Sequence, residues 1–230
     1  MKKSICIIPA RGGSKRIRKK NIKMFFGKPI IYYAIRNAIN SKLFSKIIVS
    51  TDNNEIKRIA KKNNAMIHHR SKHLSKDWVD TKSVIISVIK DLESKNISFD
   101  KVCCIYPTSV FFKRKEIISA SKLLKKDTHF VFSATRYNHP IYRSFIKKGK
   151  NIKTLFPNFQ KKKTQDFKIF YHDAAQFYFG WRTSWLKNIN IFNGKSKFIE
   201  IPILRALDID TQEDWDNAKI IWRNNKYKKQ

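Results

Sequence analysis

The chain has 230 residues, with 50 Lys and Arg against 17 Asp and Glu, for a formal net charge of +33. That length predicts one domain with chain enough to bury a core. Hydrophobic residues at 42%, with 17 Phe among them, exclude a disordered basic tail protein. No apolar run approaches the roughly 18 residues of a membrane span, and Pro9, Arg11 and Gly12 cut the apolar start too short for a signal sequence. Three Cys supply neither a disulfide framework nor metal spacing. The expectation is a cytoplasmic, strongly basic protein without a membrane span.

Such a charge is the usual footprint of a nucleic-acid partner. Here, however, the basic residues run along the whole chain, with short clusters such as those at 18–20, 161–163 and 228–229. Lys outnumbers Arg throughout, which favours a solvated Lys-rich surface over a specific nucleic-acid face. The summed field still draws phosphates toward the protein.

Residues 4–8 form an apolar run ended by Pro9, the pattern of a buried parallel strand. A Gly-containing basic loop follows, then helical spacing over 30–39. A second strand over 46–50 ends in Thr51-Asp52-Asn53-Asn54, a turn and helix N-cap cluster. The pattern then predicts a helix at 55–62, a strand at 65–68, a helix at 83–92, a strand at 102–105, a helix at 115–124 and a strand at 130–134. Strands alternating with helices of about ten residues indicate βαβ units on a mostly parallel sheet.

The rhythm breaks near Asn138. From there to about residue 175 we expect an inserted segment, a Lys-rich hairpin used for dimerisation. A strand at 176–179, a short helix near 183–186, a strand at 198–202 and a helix at 211–222 complete the α/β chain, and the Lys-rich C-terminus is expected to fray.

The most informative segment is Ile8-Pro9-Ala10-Arg11-Gly12-Gly13-Ser14-Lys15-Arg16-Ile17, followed by Lys20-Asn21. It leaves the carboxyl end of the first strand, where open α/β sheets place ligands. Gly12 and Gly13 allow a tight bend whose amides face a polyphosphate. Ser14 adds a hydroxyl, and Arg11 and Lys15 add fixed charge. The spacing matches neither an ATPase phosphate loop nor a dinucleotide fingerprint.

Five of the 17 acids lie at 208, 210, 213, 214 and 216. Glu213, Asp214 and Asp216 follow Thr211 and suit the first turn of a capped helix. Asp208 and Asp210 sit two apart in an extended segment, so their carboxylates point the same way. On spacing alone that pair suits turn carboxylates bonding local amides as well as it suits Mg²⁺.

The phosphate-loop segment closely resembles the N-terminal signature of the CMP-nonulosonate (sialic acid type) synthetases. Further matches follow in order: Ile48-Val49-Ser50-Thr51-Asp52, His69-Arg70-Ser71-Lys72-His73-Leu74, Ile105-Tyr106-Pro107-Thr108-Ser109 and Leu207-Asp208-Ile209-Asp210-Thr211. Cys103-Cys104-Ile105-Tyr106, Thr164-Gln165-Asp166 and the stretch from Tyr171 to Tyr178 resemble the branch of that family acting on pseudaminic acid.

The resemblance implies a three-layer, Rossmann-like nucleotidyltransferase fold with a mixed, mostly parallel sheet. It also implies a homodimer, and transfer of CMP from CTP to a nine-carbon sugar acid for surface glycans. Asp208 and Asp210 would hold catalytic Mg²⁺, while Arg11 and Lys15 would act on the phosphates. Ala10, Gly12, Gly13, Ser14, Asn21, Arg70 and Thr81 would complete the nucleotide site. Tyr106, Thr108, Ser109, Arg143, Lys163, Asp173 and Gln176 would face the sugar acid. N-acetylneuraminate or legionaminate is the alternative acceptor, and a basic nucleic-acid-binding α/β protein is the alternative class.

The rest points to packing. Cys103 and Cys104 alternate on a buried strand, His172 reads as structural before catalytic, and Trp78, Trp181, Trp185, Trp215 and Trp222 are expected in the core.

Overall fold

A computed structural model describes residues 3–224. The strands are β1 (Ser4–Pro9), β2 (Met24–Phe25), β3 (Lys28–Pro29), β4 (Lys46–Thr51), β5 (Met66–His69), β6 (Lys101–Ile105), β7 (Phe130–Arg136), β8 (Phe145–Lys148), β9 (Asn151–Thr154), β10 (Tyr171–Trp181) and β11 (Lys197–Glu200). The helices are α1 (Ile30–Ser41), α2 (Asn54–Lys62), α3 (Thr81–Ser94), α4 (Arg114–Leu123), α5 (Arg182–Leu186) and α6 (Gln212–Asn224). The Lys-rich end expected to fray lies outside the described residues.

Seven strands form one sheet in the order β11-β7-β10-β6-β1-β4-β5. β1 pairs in parallel with β4 and β6, β4 with β5, and β11 with β7, while β10 runs antiparallel to β6 and β7. This is the mixed, mostly parallel sheet expected from the sequence. Both faces are covered, and strand alternation divides the core between them. Cys6, Ile8, Cys103 and Ile105 face a cluster with Ala34, Ile35, Ile56 and Ile117 from α1, α2 and α4. Ile5, Ile7, Val102 and Cys104 face Ile85, Val88 and Ile89 of α3 and Trp185 of α5. All three cysteines are buried and free, and burial pushes the Cys104 thiol upward.

A third cluster lies under α6 and positions the site. Ile17, Phe25, Val110, Phe111, Ile209, Trp215 and Trp222 pack together there. Phe25 meets both Trp215 and Trp222 edge-on, with centroids at 5.6 and 5.3 Å. This cluster ties the loop after β1, the segment after β6 and the approach to α6 to one support.

Strand β10 is longer than its apolar pattern indicates and begins at Tyr171. Its first half is masked in sequence by an irregularity between Asp173 and Tyr178, where Ala175 adopts φ +49°. Within the insertion β8 and β9 form an antiparallel hairpin, turned at Gly149 with φ +64°. Beside it Tyr142 stacks on Phe159 at 4.2 Å and contacts Phe156, Phe167 and Phe170.

One of the five tryptophans departs from expectation. Trp185, Trp215 and Trp222 are buried, but Trp78 is 75% exposed, because the segment before α3 is a surface loop rather than the edge of a packed helix.

Gly180 of β10 is held by close approach. A Cβ there would lie 2.4 Å from the Phe130 ring and 3.1 Å from Trp185 Nε1. Gly180→Ala is expected to lower stability by about 1–3 kcal/mol through overpacking, measurable as an earlier urea midpoint at unchanged slope.

Candidate active site

The carboxyl ends of β1 and β6, together with the segment before α6, enclose a cleft of about 310 Å³. Its basic side carries Arg11, Ser14, Lys15, Arg16, Lys20 and Asn21, and its acidic side Asp208 and Asp210. Tyr106, Pro107 and Thr108 close the third wall. Residues scattered over two hundred positions thus meet where an open α/β sheet offers a ligand site.

The loop after β1 is docked on the turn after β4. Gly12 N–H donates to Asp52 Oδ1 at 2.9 Å, and a Cβ at Gly12 would lie 2.9 Å from the Asn53 side chain. Asn53 is fixed as the N-cap of α2, its Oδ1 accepting from Glu55 N and Ile56 N at 2.9 and 3.0 Å. This corrects the reading of the glycine pair. Gly12 is required by close contact, its amide engaged by Asp52; neither Gly12 nor Gly13 has positive φ, and Gly13 borders open space. Asn21 is buried and donates from Nδ2 to Arg11 O at 2.9 Å, which shapes the loop from inside.

The acidic side is held through Ile209, which is fully buried in the α6 cluster while its two neighbours project into the cleft. The segment is irregular coil rather than a strand end, so convergence comes from this anchor. Asp214 Oδ2 then accepts from Asp210 N and Thr211 N at 3.0 and 2.7 Å, fixing the turn into α6.

Asp210 receives Arg16 Nη2 at 2.7 Å and Lys20 Nζ at 2.9 Å. Partial burial opposes its charge, but Lys20 and Arg16 together hold its carboxyl below the usual carboxylate range. Among the described residues Asp208 has no hydrogen bond or ion pair. Crowding by protein and then the Asp210 charge hold its carboxyl above that range. Arg16 and Lys20 are functional candidates that the motif reading passed over. Lys20 stands beside Asn21 in the sequence, but its acid lies 190 positions away.

The other predicted residues take varied places. Ala10 is wholly buried and extends the β1 ladder, its N–H donating to Ser50 O at 2.9 Å. Arg70 is buried and spends its Nε and Nη2 on Leu74 O. Thr81 begins α3 and receives the Tyr106 hydroxyl at 3.4 Å. Burial pushes the Tyr106 phenol up to about 12. Tyr178 donates its hydroxyl to Asp173 Oδ2, and Ala175 N–H donates to Oδ1 at 2.9 Å. Desolvation nonetheless holds the Asp173 carboxyl above its usual range.

Two of the residues expected to face the sugar acid are engaged within the protein. Gln176 is 1% exposed, with Nε2 donating to Ala174 O and Leu207 O at 3.1 and 3.2 Å. It ties β10 to the acidic segment and does not face the cleft. Ser109, also 1% exposed, donates its hydroxyl to Gln176 O at 2.8 Å and serves the same seam. Arg143 and Lys163 lie on the insertion, outside the cleft. Arg143 there donates to Lys162 O and Thr164 Oγ1 at 3.3 and 3.4 Å.

The fold is that of the nucleotidyltransferases, with a cation-lined loop at the end of β1 facing a carboxylate pair. Solved structures agree on the fold. CMP:2-keto-3-deoxy-manno-octonic acid synthetase complexed with CTP matches with a TM-score of 0.71 at 12% identity, over 96% of this chain and 99% of that one. The 4-diphosphocytidyl-2C-methyl-D-erythritol synthase of Anaerococcus prevotii matches at 0.64 and 15% identity, with the same coverage.

The chain belongs to the cytidylyltransferase family, whose description matches residues 5–230. The pseudaminic acid cytidylyltransferase of Campylobacter jejuni subsp. jejuni serotype O:23/36 (strain 81-176) is 39% identical over 97% of both chains. N-acylneuraminate cytidylyltransferase A of Danio rerio is 31% identical over 93% of this chain and 49% of its own length. The protein is thus an enzyme of the cytidylyltransferase class. Among the described residues no helix is long and apolar enough to cross a membrane.

Proposed function

We propose that the enzyme transfers CMP from CTP to the anomeric hydroxyl of pseudaminic acid, releasing pyrophosphate in a Mg²⁺-dependent reaction. The observation that carries this reading is the single cleft in which loop cations face Asp208 and Asp210. The relative 39% identical along nearly the whole chain supports the choice of acceptor.

The donor set fits the metal. Two carboxylates converge, one of them lacking any proton donor among the described residues, and no third acid, His or Cys joins them. Such a site suits Mg²⁺, which takes one or two carboxylates and completes its shell with phosphates and water. Bound by Asp208 and Asp210, it would lower the pKa of the attacking hydroxyl and neutralise developing charge.

The chain's own groups do the rest. Arg11, Lys15, Arg16 and Lys20 take up the triphosphate charge and orient it. The anomeric hydroxyl releases its proton to solvent as its oxygen bonds to the α-phosphorus, the α–β bridging P–O bond breaks, and pyrophosphate carries away the electron pair. Asp173, held by the Tyr178 hydroxyl and the Ala175 amide, would meet the sugar acid. The exposed Phe145, Ile146 and Ile152 of the β8–β9 hairpin suit burial against a second copy, which would also bring Arg143 and Lys163 to a neighbouring cleft. The reading places the enzyme in the cytoplasm with its CTP supply.

Incubation with CTP, Mg²⁺ and pseudaminic, legionaminic or N-acetylneuraminic acid tests it by pyrophosphate release. Turnover fastest with pseudaminic acid is expected. Turnover only with another of the acids would reassign the acceptor, and none with any of the three would overturn the reading.

A further inference from the structure

The two cations expected to meet the phosphates are already engaged. Arg11 Nη1 lies 2.5 Å from Asp77 Oδ1, and Lys15 Nζ lies 2.6 Å from Asp77 Oδ2. Both bonds come from a residue more than sixty positions away, in the loop between β5 and α3. That loop touches the cleft's basic side by a second contact, Arg11 Nη1 to Ser75 O at 3.4 Å. Its base is fixed by the buried Arg70, which holds Leu74 O, and its far end by Asp80, whose Oδ1 accepts Ser83 N–H at the start of α3. Between these fixed points the Asp77 side chain is 44% exposed, and Trp78 beside it stands in solvent.

A carboxylate presents two oxygens to a guanidinium and an ammonium much as a phosphate does. We propose that Asp77 is an internal competitor for the polyphosphate site, which CTP must displace from Arg11 and Lys15, freeing the 71–80 loop as it binds. This rests on the reading that the cleft takes CTP. Exposed ion pairs are individually weak, so the contact is one that a more highly charged ligand can break. A mononucleoside without phosphates has nothing to exchange for it. Asp77 therefore lowers the affinity of every ligand that uses these two cations and leaves a ligand that does not use them untouched. Lys15 and Arg11 hold the Asp77 carboxyl below its usual range, so the competitor stays charged at neutral pH.

Competition of this kind has an arithmetic. A contact closed in roughly nine molecules of ten weakens apparent affinity about tenfold. Binding of inorganic tripolyphosphate, CTP and cytidine to the full chain, by calorimetry, should therefore separate the wild type from Asp77→Asn. Expected is a three- to tenfold gain in tripolyphosphate and CTP affinity with cytidine unchanged. Equal or weaker tripolyphosphate binding by the variant overturns the proposal.

Trp78 gives a second readout on the unmutated chain. Tripolyphosphate should shift its emission over the same concentrations that saturate binding, and Trp78→Phe should remove the change. Saturation without any shift also overturns the proposal. Tripolyphosphate lacks the cytosine and the transferred group, so failure of CMP transfer with these responses intact would count against the reaction alone.

Discussion

Asp210→Asn is expected to reduce CMP transfer by at least about a hundredfold, the scale seen when one preorganised electrostatic group is lost from a reacting centre. The substitution removes a full charge from the acidic side and leaves Arg16 and Lys20 without their shared partner. The fold should persist, because the neighbouring anchor Ile209 is untouched. Steady-state kinetics alongside a thermal melt checks both halves. Retained transfer with an unchanged Mg²⁺ requirement would remove Asp210 from the metal site. Lys20→Ala makes a useful companion, since loss confined to apparent CTP affinity would separate phosphate binding from a role in the chemical step.

Arg205→Ala is expected to have the largest effect on stability, about 3–5 kcal/mol, the range for stranding one charge of a buried pair. Arg205 and Glu116 are 8% and 6% exposed and meet twice, through Nη1 at 3.0 Å and Nη2 at 2.5 Å. Arg205 also donates to Phe111 O at 3.1 Å, while Glu116 Oε2 accepts Lys113 N–H at 2.7 Å at the start of α4. Removing the guanidinium would leave Glu116 buried with only that amide. Replacing both partners together by Met and Leu should recover much of the loss, because well-packed apolar groups carry no desolvation cost. Denaturant titration of the single and double variants decides it. A single-variant loss below about 1 kcal/mol would show that water reaches Glu116, and the pair would then rank with surface bridges.

The fold was legible in the sequence wherever local pattern decides structure. Apolar runs bounded by Pro9 and by the Thr51–Asn54 cluster placed β1 and β4 within a residue, and helical spacing over 83–92 located α3. Strand β10 was cut short because Asp173 and the left-handed Ala175 interrupt its period of two. The motif residues that line the cleft stand out in the sequence because they lie close together in three short segments. What could not be read are the partnerships that only folding creates. Nothing near Asp77 announces Arg11 and Lys15, and nothing near Glu116 announces Arg205. Gln176 and Ser109 looked like ligand readers because polar residues beside small ones suggest room; in the fold they knit β10 to the neighbouring segments.

The net charge of +33 invited a search for a polyanion spread over the surface. The structure concentrates the informative charges instead, with Asp77 and Asp210 each shared by two loop cations.

Ile209 carries a consequence for how the enzyme comes apart. Its side chain is a wedge driven into the same aromatic packing that holds Trp215 and Trp222 of the terminal helix, and the two carboxylates ride on either side of it. Opening of α6 is therefore also an opening of the acidic wall, however intact the sheet beneath. Regional unfolding of this sort proceeds with its own free energy, distinct from global melting. The proposed transfer would therefore depend on the firmness of α6 more than on the firmness of the sheet.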